Sequence, residues 1–207
     1  MSDWIYSEIV REHFFNPRNL LRNENFAADG IGEVGSAACG DKIKIWLKIK
    51  NEKIVDCKWR TFGCASAIAA TSVLSEIVTK NGGMKIADAL KISPQKIVDA
   101  LGGLPPQKIH CSVLGDRALR AAIENFLQKK SGQKISKNLT ENKIICECKN
   151  LCEKNLKKIS AKNFAELQKK TGIATICGKC ETAAREFFSA NFSRNCECCQ
   201  NCPNKKN

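Results

Sequence analysis

Lys42-Ile43-Lys44-Ile45-Trp46-Leu47-Lys48-Ile49-Lys50, followed by Asn51-Glu52 and then Lys53 to Phe62, is the stretch on which the fold turns. Apolar and charged residues alternate through its first nine positions, Trp46 apart, with the period of a half-buried strand. Asn51-Glu52 is read as a tight turn, and Lys53 to Phe62 returns as the second strand of an antiparallel hairpin. Outward from the hairpin the pattern becomes helical. From Ala65 to Lys80 the small residues Ala65, Ser66, Ala67, Ala69 and Ala70 suit a closely packed helix, ended by Asn81-Gly82-Gly83. Upstream, residues 3 to 15 are expected to form an amphipathic helix on Trp4, Ile5, Val10 and Phe14, closed by Asn16-Pro17. A polar segment with Gly30, Gly32 and Gly35 leads into Cys39.

Downstream, short helices are expected near 84–91 and 94–101, before the rigid turn Leu104-Pro105-Pro106. Ser112 is read as the cap of a last long helix reaching about Lys130, with Leu114, Ala118, Ala122 and Phe126 as its apolar stripe. The class is α+β: a small antiparallel sheet packed by helices over 1–130, then a smaller, mostly helical unit. Residues 131–142 are polar and lysine-rich, a linker. The second unit spans 143–192, and 193–207 is read as a cysteine-rich flexible tail.

The 207-residue chain is 43% hydrophobic, enough for a real core, and has no apolar run that could span a bilayer. Its N-terminus lacks a secretory pattern, so a cytoplasmic location is expected. In that reducing compartment thirteen cysteines argue for metal ligation or thiol chemistry over a disulfide framework. The formal charge of +13 suggests nucleic acid at first sight. The excess is mostly lysine spread along the chain, with no arginine-rich patch interleaved with aromatics, so solvated faces are the better reading.

Two cysteine sets carry chemistry. In the first, Cys39 and Cys64 lie in glycine-flanked turns, Asp41 stands two residues past Cys39, and His110-Cys111 follow the double proline. Three thiols, a carboxylate and an imidazole suit iron, zinc or an iron–sulfur cluster. A hard oxygen among soft thiolates should hold a cluster more loosely than four cysteines would. In the second, Cys146-Glu147-Cys148 and Cys177-Gly178-Lys179-Cys180 are separated by 28 residues. Two close pairs can converge on one four-thiolate centre, and the Cys-x-Cys pair tilts the metal toward iron–sulfur. Cys57 alternates with Val55 and Trp59 and is read as a buried small hydrophobe. Cys152 is read as a spare thiol, and Cys196, Cys198, Cys199 and Cys202 as part of the tail.

Residues 1–130 resemble the IscU-type scaffold domain. The likeness is carried by Glu12 to Asn19, Ala38-Cys39-Gly40-Asp41, Thr61 to Ala69, and Leu104 to Ser112, in the family's order and spacing. The resemblance implies that Cys39, Cys64 and Cys111 bind a nascent 2Fe–2S cluster. It further implies that Asp41 keeps the cluster labile, that His110 can serve as a ligand, and that Lys108 lies close to the site. Cys111 is the implied persulfide acceptor from a cysteine desulfurase of the NifS/IscS type. Gln107 stands where the family's chaperone-recognition segment usually has valine.

The second set, with its approach Thr171 to Gly178, is similar to the bacterioferritin-associated-ferredoxin type of 2Fe–2S domain, on a slightly shorter insert. This implies a permanent cluster on Cys146, Cys148, Cys177 and Cys180. Scaffold followed by ferredoxin is the arrangement of NifU-type proteins, without the Nfu-type C-terminal domain that many members add. The expected function is a non-enzymatic scaffold that takes sulfur and iron, builds a labile 2Fe–2S cluster and passes it to apo iron–sulfur proteins. A homodimer is expected, with neither membrane nor nucleic acid as partner. Two other readings use the same residues: a redox carrier or regulator working through the second unit, and zinc in the first site.

Overall fold

The computed structural model describes residues 6–22, 25–36, 39–131, 143–149 and 151–192. The chain divides into two compact units, Met1–Ser136 and Lys137–Asn207. Most of the expected linker, the cysteines of the tail, and Trp4 and Ile5 lie outside the described residues.

The first unit opens with α1 (Glu8–Phe15), whose cap Ser7 accepts a hydrogen bond from the Val10 amide at 3.1 Å. Strands β1 (Gly30–Gly35), β2 (Lys42–Lys50) and β3 (Lys53–Phe62) follow, then α2 (Ala65–Thr79), a short β4 (Met84–Lys85), α3 (Ile86–Ala89), α4 (Pro94–Ala100) and α5 (Ile109–Ser131). The four strands form one antiparallel sheet in the order β1-β2-β3-β4. The expected hairpin runs in register from Lys42 opposite Phe62 to Lys50 opposite Lys53, with a bulge at Lys48/Ile49. Asn51 and Glu52 both take positive φ, 48° and 61°, the mirror-image turn whose twist matches the strands. Ile43, Ile45, Leu47, Ile54, Cys57 and Trp59 are fully buried on the inner face of the sheet. There α5 packs on β1 and β2, and α2 packs on β3. Cys57 is a core residue, as read.

Besides a later start of the first helix at Glu8 and the strand β4 at the head of the helix expected near 84–91, two elements differ from the sequence reading. The glycine-bearing polar segment is the edge strand β1. Its alternation is disguised because Gly30 and Gly32 lie against the backbone of α5. A Cβ at either would stand 2.3 Å from a carbonyl oxygen, that of Ala122 or Ala118 respectively. The last long helix begins at Ile109, three residues before Ser112. Pro106 to Lys108 form a 3-10 turn that runs straight into it, and the Ser112 hydroxyl bonds back to the Ile109 carbonyl at 2.7 Å instead of capping. His110 and Cys111 are thereby placed in the first turn of a 23-residue helix.

The N-terminal run Glu12 to Asn19 ties α1 to α2. His13 Nδ1 lies 2.8 Å from the Ser72 hydroxyl, which also accepts from the Arg18 amide. Asn19 donates to Ser75, and the Trp59 indole donates to the Arg18 carbonyl at 2.8 Å. Ser72 and Ser75, both buried in α2, are thus spent on holding the N-terminal segment.

The second unit has a two-stranded β5 (Ile144–Cys146) and β6 (Leu151–Cys152), then α6 (Glu153–Leu156), α7 (Phe164–Thr171) and α8 (Glu181–Phe192). Asn163 caps α7 through the Glu166 amide, and Gly172 ends it in the left-handed conformation. Its core holds Ile145, Cys146, Leu156, Leu167, Ile173, Cys180, Ala184 and Phe187. Two of those eight are thiols, so this small core depends on what its cysteines do. No helix among the described residues is long and apolar enough to cross a membrane.

Candidate metal centres

The first centre is assembled by three loops at one end of the sheet. Cys39 and Asp41 sit on the connection from β1 to β2, closed by the Ser36 amide on the Asp41 carbonyl at 2.8 Å. Gly40 between them has φ +76°, a turn that a side chain would strain. Cys64 sits between β3 and α2 as the cap residue of α2. The neighbouring Gly63 leaves room for the Asp41 side chain, since a Cβ there would meet Asp41 Cγ at 3.0 Å.

These loops bring together two overlapping trios that share Asp41: Cys39, Asp41 and His110, and Asp41, Cys64 and Cys111. Within each trio the candidate ligand atoms lie within 4.8 Å of one another. Asp41 Oδ2 is 3.7 Å from Cys64 Sγ and 3.9 Å from Cys111 Sγ, and the two sulfurs are 3.7 Å apart. Thiolates sharing a tetrahedral metal at about 2.3 Å would be separated by roughly 3.8 Å. Although His110 and Cys111 are adjacent in sequence, both reach the same site, with His110 Nε2 3.5 Å from Cys111 Sγ.

The electrostatics favour negative charge. Cys64, the cap residue of α2, occupies a helix N-terminus whose free amides and dipole stabilise a thiolate, and Cys111 lies in the first turn of α5. The two thiols share a proton. The hydrogen bond from Cys111, against the cost of burial and helped by the Ala67 amide, lowers the Cys64 thiol to about 5. The same hydrogen bond, with burial and the charges of Cys64, Asp41 and Cys39, drives Cys111 up. Burial would lower the Lys108 ammonium, but the charges of Cys64, Tyr6, Cys111 and Asp41 outweigh it and raise the group. Cys111 is fully buried, while Cys39 and Cys64 are partly exposed.

In the second unit the four expected cysteines form two close pairs. Cys148 Sγ lies 3.2 Å from Cys177 Sγ, and Cys146 is hydrogen-bonded to Cys180. Cys180 is driven up by its bond to Cys146. That bond lowers Cys146 to about 6 against burial, with amides of Ala174, Lys149 and Cys148 donating to its sulfur. Burial pushes Cys148 up to about 12, assisted by Cys177. Ala174 and Gly178 take positive φ, 57° and 70°, which curls the loop before α8 around the thiols. Cys152 lies on β6 and precedes α6. Sequence reasoning missed the part played by His13, Arg18 and Asn19. Their short spacing in one polar run was the available signal, but their partners Ser72 and Ser75 lie more than fifty residues away.

Residues 5–133 match the NifU-like N terminal domain family. The chain belongs to that family. Within the NifU-like group it is similar to the iron-sulfur cluster assembly scaffold protein IscU 1 of Archaeoglobus fulgidus. The two are 47% identical over 125 residues, covering 60% of this chain and 78% of that one. It is similar as well to the nitrogen fixation protein NifU of Trichormus azollae, 39% identical over 168 residues, or 77% of this chain. The match extends past the NifU-like domain into the second unit, while the chain spans about half the length of that relative, 54%. A crystal structure of an N-terminal NifU-like protein from Brucella abortus aligns over 60% of this chain and 96% of its own, at 18% identity and a TM-score of 0.48.

Proposed function

We propose that this protein is a scaffold on which a 2Fe–2S cluster is built and from which it is passed to apo iron–sulfur proteins. The observation that carries the reading is Asp41, a carboxylate shared by both trios of ligands at the ends of two helices. Soft thiolates at helix N-termini capture iron and sulfide, and the hard oxygen among them keeps the product exchangeable. Zinc is a chemically acceptable alternative occupant of the same ligands. The cluster is cargo, and no small-molecule substrate is turned over.

Sulfur enters from a cysteine desulfurase as a persulfide. A scaffold thiolate attacks the terminal sulfur, the S–S bond breaks, and the desulfurase cysteine leaves as thiolate. Cys111 is the proposed resting acceptor. Because Cys111 is buried and Cys64 is not, Cys64 receives the sulfur first and hands it across their 3.7 Å contact. Cys111 gives up its proton toward His110 Nε2, attacks the sulfane sulfur, and releases Cys64 as thiolate. Two further electrons per sulfane sulfur from a protein reductant yield sulfide and restore the thiol. Lys108 holds positive charge beside the thiolates during these steps.

The donor set of the second unit suits a resident four-thiolate 2Fe–2S cluster on Cys146, Cys148, Cys177 and Cys180. The four thiols form two close pairs, and Cys146, with amides aimed at its sulfur, is the one poised to carry negative charge first. That cluster supplies one-electron chemistry when bound. A reading in which the second unit alone acts, as a redox carrier or regulator, leaves the shared Asp41 site without a purpose. A homodimer and a cytoplasmic location complete the proposal.

Anaerobic reconstitution with iron, cysteine and a desulfurase tests it. The expected product has one chelator-sensitive and one chelator-resistant cluster per chain. Two equally resistant clusters, or none at the first site, would overturn the scaffold reading.

A further inference from the structure

The thiols of the second unit are unevenly covered. Cys146 and Cys180 are buried, at 2% and 6% exposure, whereas their partners Cys148 and Cys177 are partly open to solvent. The four-cysteine group therefore has an inner pair and an outer pair, and the outer sulfurs are 3.2 Å apart. Electron exchange weakens steeply with distance, so the outer edge is where another redox protein has to approach.

The unit that carries this edge is basic overall. Residues 143–192 carry ten basic side chains against five acidic ones. Several of these cations are neutralised locally, as Lys170 is by Glu166, Arg185 by Glu181 and Lys143 by Glu153. Lys149 forms no ion pair among the described residues. It follows Cys148 directly, and its side chain lies over Gly172, where a Cβ would stand 2.9 Å from Lys149 Cε. Gly172 thus keeps the Lys149 stem against the loop that leads to Cys177. Lys179 stands between the two cysteines of the other pair; the opposing charges nearest in sequence are Glu147, on the far side of Cys148, and Glu181, which Arg185 pairs.

We propose that the Cys148–Cys177 edge, rimmed by Lys149 and Lys179, is the docking surface for an acidic one-electron carrier protein. The proposal rests on the reading of these four cysteines as a 2Fe–2S site. Docking lets the carrier lose one electron as the iron pair gains one, with no bond made or broken. Complementary rim charges act mainly by steering encounter, and salt screens them over a distance of about 8–10 Å.

The test uses the full chain, reconstituted and treated with chelator, with a purified flavodoxin as the acidic probe. A chelator-resistant visible spectrum is read first, and its absence overturns both the 2Fe–2S reading of the second unit and the docking surface. With the spectrum present, calorimetric titration should give a dissociation constant about ten-fold weaker at 300 mM salt than at 30 mM. Lys149→Glu and Lys179→Gln should each weaken binding at low salt several-fold while the spectrum is unchanged, and Lys162→Glu, on the approach to α7, should leave binding within about two-fold. Should the Lys179 variant fail to take up iron, Lys149→Glu alone decides. Salt-independent binding overturns the docking surface and leaves the cluster standing. So does equal weakening by Lys162→Glu, or competition by heparin at equal charge concentration, which would mark a diffuse polycation.

Discussion

Asp41→Ala should make the cluster at the first site slower to leave. The carboxylate oxygen lies 3.7 Å from one sulfur and 3.9 Å from another, and its residue is 7% exposed. At 3.7 Å a unit charge opposes a thiolate charge by about 4 kcal/mol with an effective dielectric near 20, and by about 1 kcal/mol in water. A site with partly exposed cysteines belongs nearer the lower figure, so relief of about 1–2 kcal/mol is expected, or a five- to thirty-fold longer half-time. The assay is the transfer half-time to an apo-ferredoxin, followed by visible absorption under anaerobic conditions. Asp41→Asn separates the two ways in which a carboxylate loosens a cluster. It removes the charge and keeps a neutral oxygen, so it should match the alanine variant if repulsion dominates and stay fast if oxygen ligation does. Release from Asp41→Ala as fast as from the unchanged protein, or faster, would refute the reasoning.

Gly32→Ala should cost stability of about 1–3 kcal/mol or more, because the new methyl would stand 2.3 Å from the Ala118 carbonyl oxygen and the Ala122 nitrogen. A lower urea midpoint at unchanged slope would show it, and an unchanged midpoint would mean that β1 can move off α5. In the metal-free protein Cys64 should react with iodoacetamide already near neutral pH, with a rate that rises through about pH 5. Lys108→Gln should move that profile to higher pH, since it removes a positive charge that helps to hold Cys64 ionised. His13, lowered first by burial and then by Arg18, prefers its neutral form in the folded chain. Its contribution to stability is therefore complete above the unfolded value of about 6.5 and is lost as the pH falls below it, a slope that His13→Gln should flatten in urea titrations.

Much of this was legible in the chain itself. Alternation from Lys42 to Phe62 placed the hairpin, the small residues after Cys64 placed α2, and both sets of cysteines stood at turns where ligands belong. Such features are local: a period of two, a turn dipeptide or a helix start is written within ten residues. β1 was not legible, because Gly30 and Gly32 answer to the backbone of α5, some ninety residues away. The start of α5 was misplaced for a related reason. Ser112 is a good cap by type, but the double proline had already set the chain turning before Ile109.

By itself, then, the sequence determined which residues are ligand candidates, since thiols, a carboxylate and an imidazole are chemical identities that need no neighbours. Only the tertiary structure decided which of them meet. Asp41 came to be shared between two trios, Cys111 came to be buried beside a half-open Cys64, and His110 and Cys111 turned toward one point. Each of those outcomes depends on loops from opposite ends of strands and helices converging in space, and chain order carries no record of that distance.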